Sequence, residues 1–171
     1  MCIRDSKKPF TFDLETTMDN NERRNIICIG LGLSGSDAVC IPLVGQWGKV
    51  YWKDDAERRV IAALAKLFAS DCEKIGQNVF VFDIPVLQQF NIKVAPPVHD
   101  TLVIHHVIDP EIPHSLNFLG SVYTDMPKHK VKFKSMLAVD DYTLRYYNGS
   151  DCLMTWRVLD ELAKELNNDR K

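Results

Sequence analysis

Residues 11–17 read TFDLETT, and the alternation in and around them decides how the fold begins. Phe10, Phe12 and Leu14 alternate with Thr11, Asp13 and Glu15, the period-two pattern of a β-strand. Successive side chains on a strand point to opposite faces, so the apolar residues share one face and Thr11, Asp13 and Glu15 the other. Two carboxylates therefore stand side by side, where each makes the other harder to ionise. One account is a solvated polar face on an edge strand. The other is a site built to receive positive charge.

Working outward, MDNNERRN reads as a polar turn, and Ile26 to Leu33 (IICIGLGL) is a near-continuous apolar run, as in a strand covered on both faces. After the turn at GSD, Ala38 to Leu43 reads as a third strand, giving an antiparallel meander. Residues 54–70 carry apolar side chains at helical spacing, with Asp54 or Asp55 as N-cap. A short strand is expected around Lys74 to Asn78, then short helices over Asp83 to Phe90, His99 to Ile108 and Ser115 to Val122. A long helix from about Tyr142 to Leu166 closes the chain, with a doubtful point at Asn148-Gly149. The order predicts an α/β domain with a mixed sheet.

The 171 residues suit one domain with a sizeable core; 46% are apolar and 26% charged, ordinary globular values. Residues 1–8 read as a leader, disordered or non-native, and residues 9–168 as the domain. A net charge of -2 advertises no global basic field, although a basic patch can sit on a neutral surface. The five cysteines form no CxxC pair and are odd in number, which suggests neither a disulfide framework nor a zinc ribbon. With no long apolar run and no signal-peptide core, a cytoplasmic, intracellular setting is expected, and no membrane partner.

Two further acids bear on the pair in TFDLETT. Asp83, in IGQNVFVFDIPVLQQF (75–90), follows an apolar run and opens a helix, so it could be an N-cap. Asn78 could be a turn residue. In YNGSDCLMTWRVLDEL (147–162), an unbroken helix puts Tyr147, Asp151, Met154, Val158 and Leu162 on one stripe. Asp151 would then point inward, and a buried carboxylate asks for a cation or hydrogen bonds. Alternatively Asn-Gly breaks the helix, Ser150 caps a new one, and Asp151 only favours the positive end of its dipole.

DLE, GQN…FDIPVL and YNGSD, in that order, resemble the three motifs of the DnaQ-like 3′-5′ exonucleases, in the subgroup with Tyr-x-x-x-Asp in the last. Residues 99–125 are similar to the proofreading domain of family A, phage-like DNA polymerases. The likeness runs from Pro9 onward. It implies a ribonuclease H-like fold, an α/β domain whose mixed central sheet combines the antiparallel meander with parallel strands and is flanked by helices. It also implies a phosphodiester hydrolase with two divalent cations, Mg²⁺ or Mn²⁺, which prefer carboxylate and water ligands.

Carried over motif by motif, Asp13 would bridge both cations, Glu15 and Asp151 would complete the water-activating site, and Asp83 would hold the second. Tyr147 would orient the attacking water through its hydroxyl. Thr16 and Thr17 would lie near the terminal nucleotide, and Asn78 would support substrate unless it is only a turn residue. Asp100 and His114 sit in family-like contexts, where helix capping or support of neighbouring groups is expected rather than metal ligation. His105-His106 is not a metal pair, because adjacent helical residues diverge. In KHKVKFK (128–134), Lys130 and Lys132 lie on a strip that would contact phosphates, or would protect an edge strand from aggregation.

The implied substrate is a single-stranded or frayed DNA 3′ end, in proofreading during DNA replication or in DNA processing. RNA remains an alternative, as does a non-catalytic module that binds nucleic acid; the presence of all four acids argues against the latter. Two departures from the family stand out. Gly149 weakens the last helix by about 1 kcal/mol relative to Ala. The chain also stops where a polymerase would continue, so a free-standing enzyme and a piece of one, with a polymerase domain or protein as partner, are both expectations.

Overall fold

The structure is a computed structural model that describes residues 8–18, 24–127 and 135–168. The chain runs β1 (Phe10–Met18), β2 (Arg24–Gly32), β3 (Ala38–Pro42), β4 (Val44–Gly45), β5 (Lys49–Val50), α1 (Ala56–Phe68), β6 (Lys74–Gly76), α2 (Asp83–Gln89), β7 (Val98–Asp100), α3 (Thr101–Ile108), α4 (Leu116–Tyr123) and α5 (Asp141–Asn168). Five strands form one sheet in the order β3-β2-β1-β6-β7. The meander β1-β2-β3 is antiparallel, whereas β1-β6 and β6-β7 are parallel. This is the mixed, helix-flanked sheet expected.

β1 is the central strand, not an edge. Its two neighbours remove the solvated-edge account of Asp13 and Glu15: Thr11 on that face is fully buried, and both acids are half-buried. The opposite face carries Phe10, Phe12 and Leu14 into the main core with Leu64 and Phe68 of α1 and Val86 and Leu87 of α2. Phe68 meets Phe10 and Phe12 edge-on, ring centroids 5.8 and 5.1 Å apart, the geometry that aromatic quadrupoles favour.

On the acid-bearing face lies α5, whose inner stripe also packs Met154, Val158 and Leu162 against Leu116 and Leu119 of α4. The helix approaches closely because β2 is glycine where it crosses. A Cβ on Gly30 would stand 2.5 Å from Asn148 Oδ1 and 2.6 Å from Cys152 Sγ. The Thr11 hydroxyl donates to the Cys152 carbonyl at 2.9 Å, tying helix to strand.

The long closing helix is as expected and runs unbroken through the doubtful point at Asn148-Gly149, from Asp141 to Asn168. Two expectations are corrected. The helix expected from His99 begins at Thr101, because Val98–Asp100 pairs with β6. The strand expected to reach Asn78 ends at Gly76, and Asn78 turns the chain with a left-handed φ of 59°. The β4-β5 hairpin was not anticipated; it turns through Trp47 and Gly48, both at positive φ. Among the described residues no helix is long and apolar enough to cross a membrane. The leader and the KHKVKFK strip lie outside the described residues, apart from Lys8.

An added Cβ at Gly149 would meet only Ala38 Cβ, at an ordinary 3.8 Å. Gly149→Ala is therefore expected to raise stability by about 0.5–1 kcal/mol through backbone entropy, measurable by urea denaturation. Unchanged or lower stability would show a constraint at this position that the local space does not reveal.

Candidate active site

Residues of three elements meet around the central strand. β1 presents Asp13 and Glu15, α5 presents Tyr147 and Asp151 one helical turn apart, and the first residue of α2 is Asp83. One carboxylate oxygen from each of Asp13, Glu15 and Asp151 lies within 4.8 Å of the others. A bulge follows Glu15: it pairs with Cys28 while Thr16 pairs with Ile26, leaving Ile27 as the extra residue of β2. Such bulges re-aim a strand locally, here at the point where the two acids face the helix.

Asp83 is not the N-cap that its sequence position allowed. Phe82 occupies that place, while Asp83 is 3% exposed and its Oδ1 accepts the Leu14 N–H at 3.0 Å. That bond fastens the start of α2 to β1 midway between Asp13 and Glu15. Burial holds the Asp83 carboxyl well above the usual carboxylate range, the Asp13 charge pushes it further, and the backbone N–H groups of Leu14 and Asp83 itself pull it back.

Glu15 is pushed up to about 9, first by burial and then by Asp13, Asp151, Cys40 and Asp83. The Tyr147 phenol is also raised, by burial first and then by Asp151, Glu15 and Asp13, so it stays protonated at neutral pH. Four carboxyls thus share a partly dehydrated space in which negative charge is expensive. An all-oxygen donor set of this kind fits hard divalent cations such as Mg²⁺ or Mn²⁺ rather than thiophilic metals.

The remaining expected residues are distributed as follows. Thr16 and Thr17 continue β1 past the bulge, half-buried. Asn78 donates its backbone N–H to Asp100 Oδ1 at 2.8 Å, which the turn role explains. Asp100 is the side-chain N-cap of α3, accepting from Leu102 N at 3.0 Å, and also receives Phe80 N at 3.4 Å. It thereby secures the loop that leads to Asp83.

His114 is not a cap; Ser115 takes that role for α4. The His114 carbonyl accepts from Gln77 Nε2 at 2.7 Å. Its ring lies between the other two histidines, Nδ1 2.6 Å from His105 Nδ1 and Nε2 3.0 Å from His106 Nδ1. The pair His105-His106 therefore reaches different nitrogens of one ring and does not converge as a chelate. Lys130 and Lys132 lie outside the described residues.

Sequence reasoning missed Asn148. It is wholly buried, and its Nδ2 donates to Asp13 Oδ2 at 2.8 Å and to the Asp13 carbonyl at 3.2 Å. The available signal was an amide on the sheet-facing stripe of α5 opposite the small residues of IGLGL.

A family model described as 3′-5′ exonuclease matches residues 2–167. DNA polymerase I of Borreliella burgdorferi is 26% identical over 95% of this chain, which spans 18% of that relative's length. NrnC of Brucella melitensis, solved with bound Mg²⁺, superposes with a TM-score of 0.70 at 20% identity, covering 94% of this chain and 74% of that one. The same protein bound to pGG gives 0.69 at 21% identity over the same shares. Escherichia coli RNase D, an exoribonuclease involved in structured RNA processing, gives 0.56 at 14% identity, covering 93% and 39%.

Proposed function

The chain belongs to the 3′-5′ exonuclease family and is a DnaQ-like hydrolase, and from that premise we propose that it releases nucleoside monophosphates from single-stranded or frayed DNA 3′ ends. The reaction would take place at Asp13, Glu15, Asp83 and Asp151. The observation that carries this reading is the meeting of the Asp13, Glu15 and Asp151 oxygens within 4.8 Å, with Asp83 bonded to the intervening Leu14. A frayed end suits the site because a stable duplex would withhold the terminal phosphodiester from acids set against a sheet.

Asp13, Glu15 and Asp151 would hold one divalent cation, and Asp13 with Asp83 a second. When bound, such cations supply Lewis-acid stabilisation of charge on the phosphoryl oxygens and ease deprotonation of the attacking water. The chain's own residues do the positioning. Tyr147, kept protonated by burial and by its acidic neighbours, orients a water by hydrogen bonding rather than acting as the base. The Leu14 N–H holds Asp83 Oδ1 against the backbone next to Asp13.

The similarity to DNA polymerase I favours DNA and a proofreading context with a polymerase as partner. The likeness in fold to RNase D keeps RNA as a second reading. Digestion of 5′-labelled single-stranded DNA and of the matching RNA, in Mg²⁺, Mn²⁺ or EDTA, separates them. The expected result is a ladder shortening from the 3′ end of DNA, dependent on the cation and faster than on RNA. A faster RNA ladder would transfer the assignment to an exoribonuclease, and degradation that persists in EDTA would remove the cation mechanism.

A further inference from the structure

We infer that Asn148 is the positioning residue that orients the Asp13 carboxylate for its cations, an inference that rests on the cation centre proposed above. Asn148 has no exposed surface, and it lies on the helix directly after Tyr147. Both Nδ2 hydrogens are used on one residue: the Asp13 carboxylate at 2.8 Å and the Asp13 carbonyl at 3.2 Å. A single rigid amide therefore grips the side chain and the main chain of Asp13 together, which fixes the carboxylate plane relative to β1.

The amide can face only one way. Turned over, its carbonyl oxygen would oppose two acceptors, so Asp13 dictates that the donors point inward. The other end of the amide is left without a partner: Asn148 Oδ1 is buried and makes no hydrogen bond. It projects toward Gly30, where a Cβ would stand 2.5 Å away. If this position served only to pack helix against sheet, a Leu would fill the space without stranding a polar atom in a dry interface. The stranded oxygen marks a residue held there for what its other end does.

One hydrogen bond occupies one of the roughly four lone-pair sites of a carboxylate. The bond from Asn148 therefore does not itself preclude ligation by Asp13, and it holds the carboxylate in an orientation that need not be found anew for each cation. Groups that orient metal-binding carboxylates typically change metal affinity 10–100-fold when removed.

The test uses Mn²⁺ alone, titrated calorimetrically into the full chain, with thermal midpoints measured in EDTA alongside. Asn148→Leu keeps the branched four-atom side chain, with somewhat greater bulk, and removes the donors; Asn148→Ala removes both side-chain bulk and donors. Thr11→Val removes the neighbouring tie between strand and helix, Thr11 Oγ1 to the Cys152 carbonyl, without touching Asp13. Asn148→Leu is expected to fold with a midpoint near that of the wild type and to bind Mn²⁺ 10–100-fold more weakly. Its nuclease rate should recover as Mn²⁺ is raised. Asn148→Ala should show the same weakened binding, and if it does not fold, Asn148→Leu carries the comparison.

Thr11→Val should lower the midpoint and leave Mn²⁺ affinity within about twofold. Wild-type affinity in Asn148→Leu overturns the inference, as does an equal loss in Thr11→Val, which would make helix docking the cause. A wild-type chain that takes up no Mn²⁺ overturns the cation centre itself, a different and recognisable failure.

Discussion

Asp13→Asn should lower the hydrolysis rate at least about 10³-fold, some 4 kcal/mol of transition-state stabilisation, while leaving the metal-free protein as stable as before or more so. The two halves of this result have one cause. Asp13 stands among like charges: it is the second cause, after burial, of the raised pKa of both Glu15 and Asp83. Exchanging its carboxylate for an amide removes that repulsion. It also keeps a carbonyl oxygen able to accept the Asn148 amide, so the bond between α5 and β1 can survive.

What is lost is the charge that would bridge two cations, and with it their hold on the reacting phosphate. Sites selected for activity commonly sacrifice stability in this way. The checks are the rate on 5′-labelled single strands and thermal midpoints in EDTA and in Mn²⁺. In Mn²⁺ the wild type should gain stability and the variant should gain much less. A loss of only a few-fold in rate would mean that Asp13 is not the shared ligand.

The second large effect is on pH. Glu15 has its carboxyl raised from 4.5 in the unfolded chain to about 9 in the folded one, and Asp83 moves in the same direction. Below the unfolded value both states hold the proton, and the folded state bears no penalty. Between the two values the unfolded chain has released the proton and the folded chain has not, so each step up in pH favours unfolding. Metal-free stability should therefore fall from about pH 5 to pH 9, by a few kcal/mol in all.

Cations held at this centre would reverse the trend, because they would bind the deprotonated carboxylates and displace the protons that Glu15 and Asp83 retain. With Mn²⁺ present the stability curve should flatten or rise with pH, and binding should release protons. Thermal denaturation across this range, with EDTA and with Mn²⁺, checks both curves. Calorimetry in buffers of different ionisation enthalpy counts the protons. A metal-free curve that rises with pH would contradict the acid cluster as described.

The face assignment in TFDLETT was legible because strand periodicity is local: Phe10, Phe12 and Leu14 do fill the main core, and Asp13 and Glu15 do face the helix. Whether that strand lay at an edge was not legible. Its second neighbour, β6, arrives more than fifty residues later, and pairing partners leave no mark on the strand itself. The three-residue β7 vanished into the helix that follows, since three residues are too few to show alternation, although the capping role expected of Asp100 is the one it has. Trp47 in a left-handed turn position breaks the usual Asn/Gly rule for hairpins, and so the β4-β5 hairpin was hidden.

The approach of Asp13, Glu15 and Asp151 to one another was readable from motif order and helical spacing. Asn148 was not, because its meaning depends on two distant conditions: Asp13 beneath its amide and the absence of a side chain on Gly30. Asn next to Gly reads as a helix breaker in isolation. Here tertiary contacts override that propensity, and the amide that weakens the helix locally is the one that reaches the acid.

The central claim is that these acids form one cation centre. Anomalous diffraction from crystals soaked in Mn²⁺ with a nucleoside 5′-monophosphate tests it most directly. Two peaks about 3.5–4 Å apart are predicted, both touching Asp13, one also at Glu15 and Asp151 and the other at Asp83. Mn²⁺ bound elsewhere, or none at Asp13 with the nucleotide in place, would contradict the account.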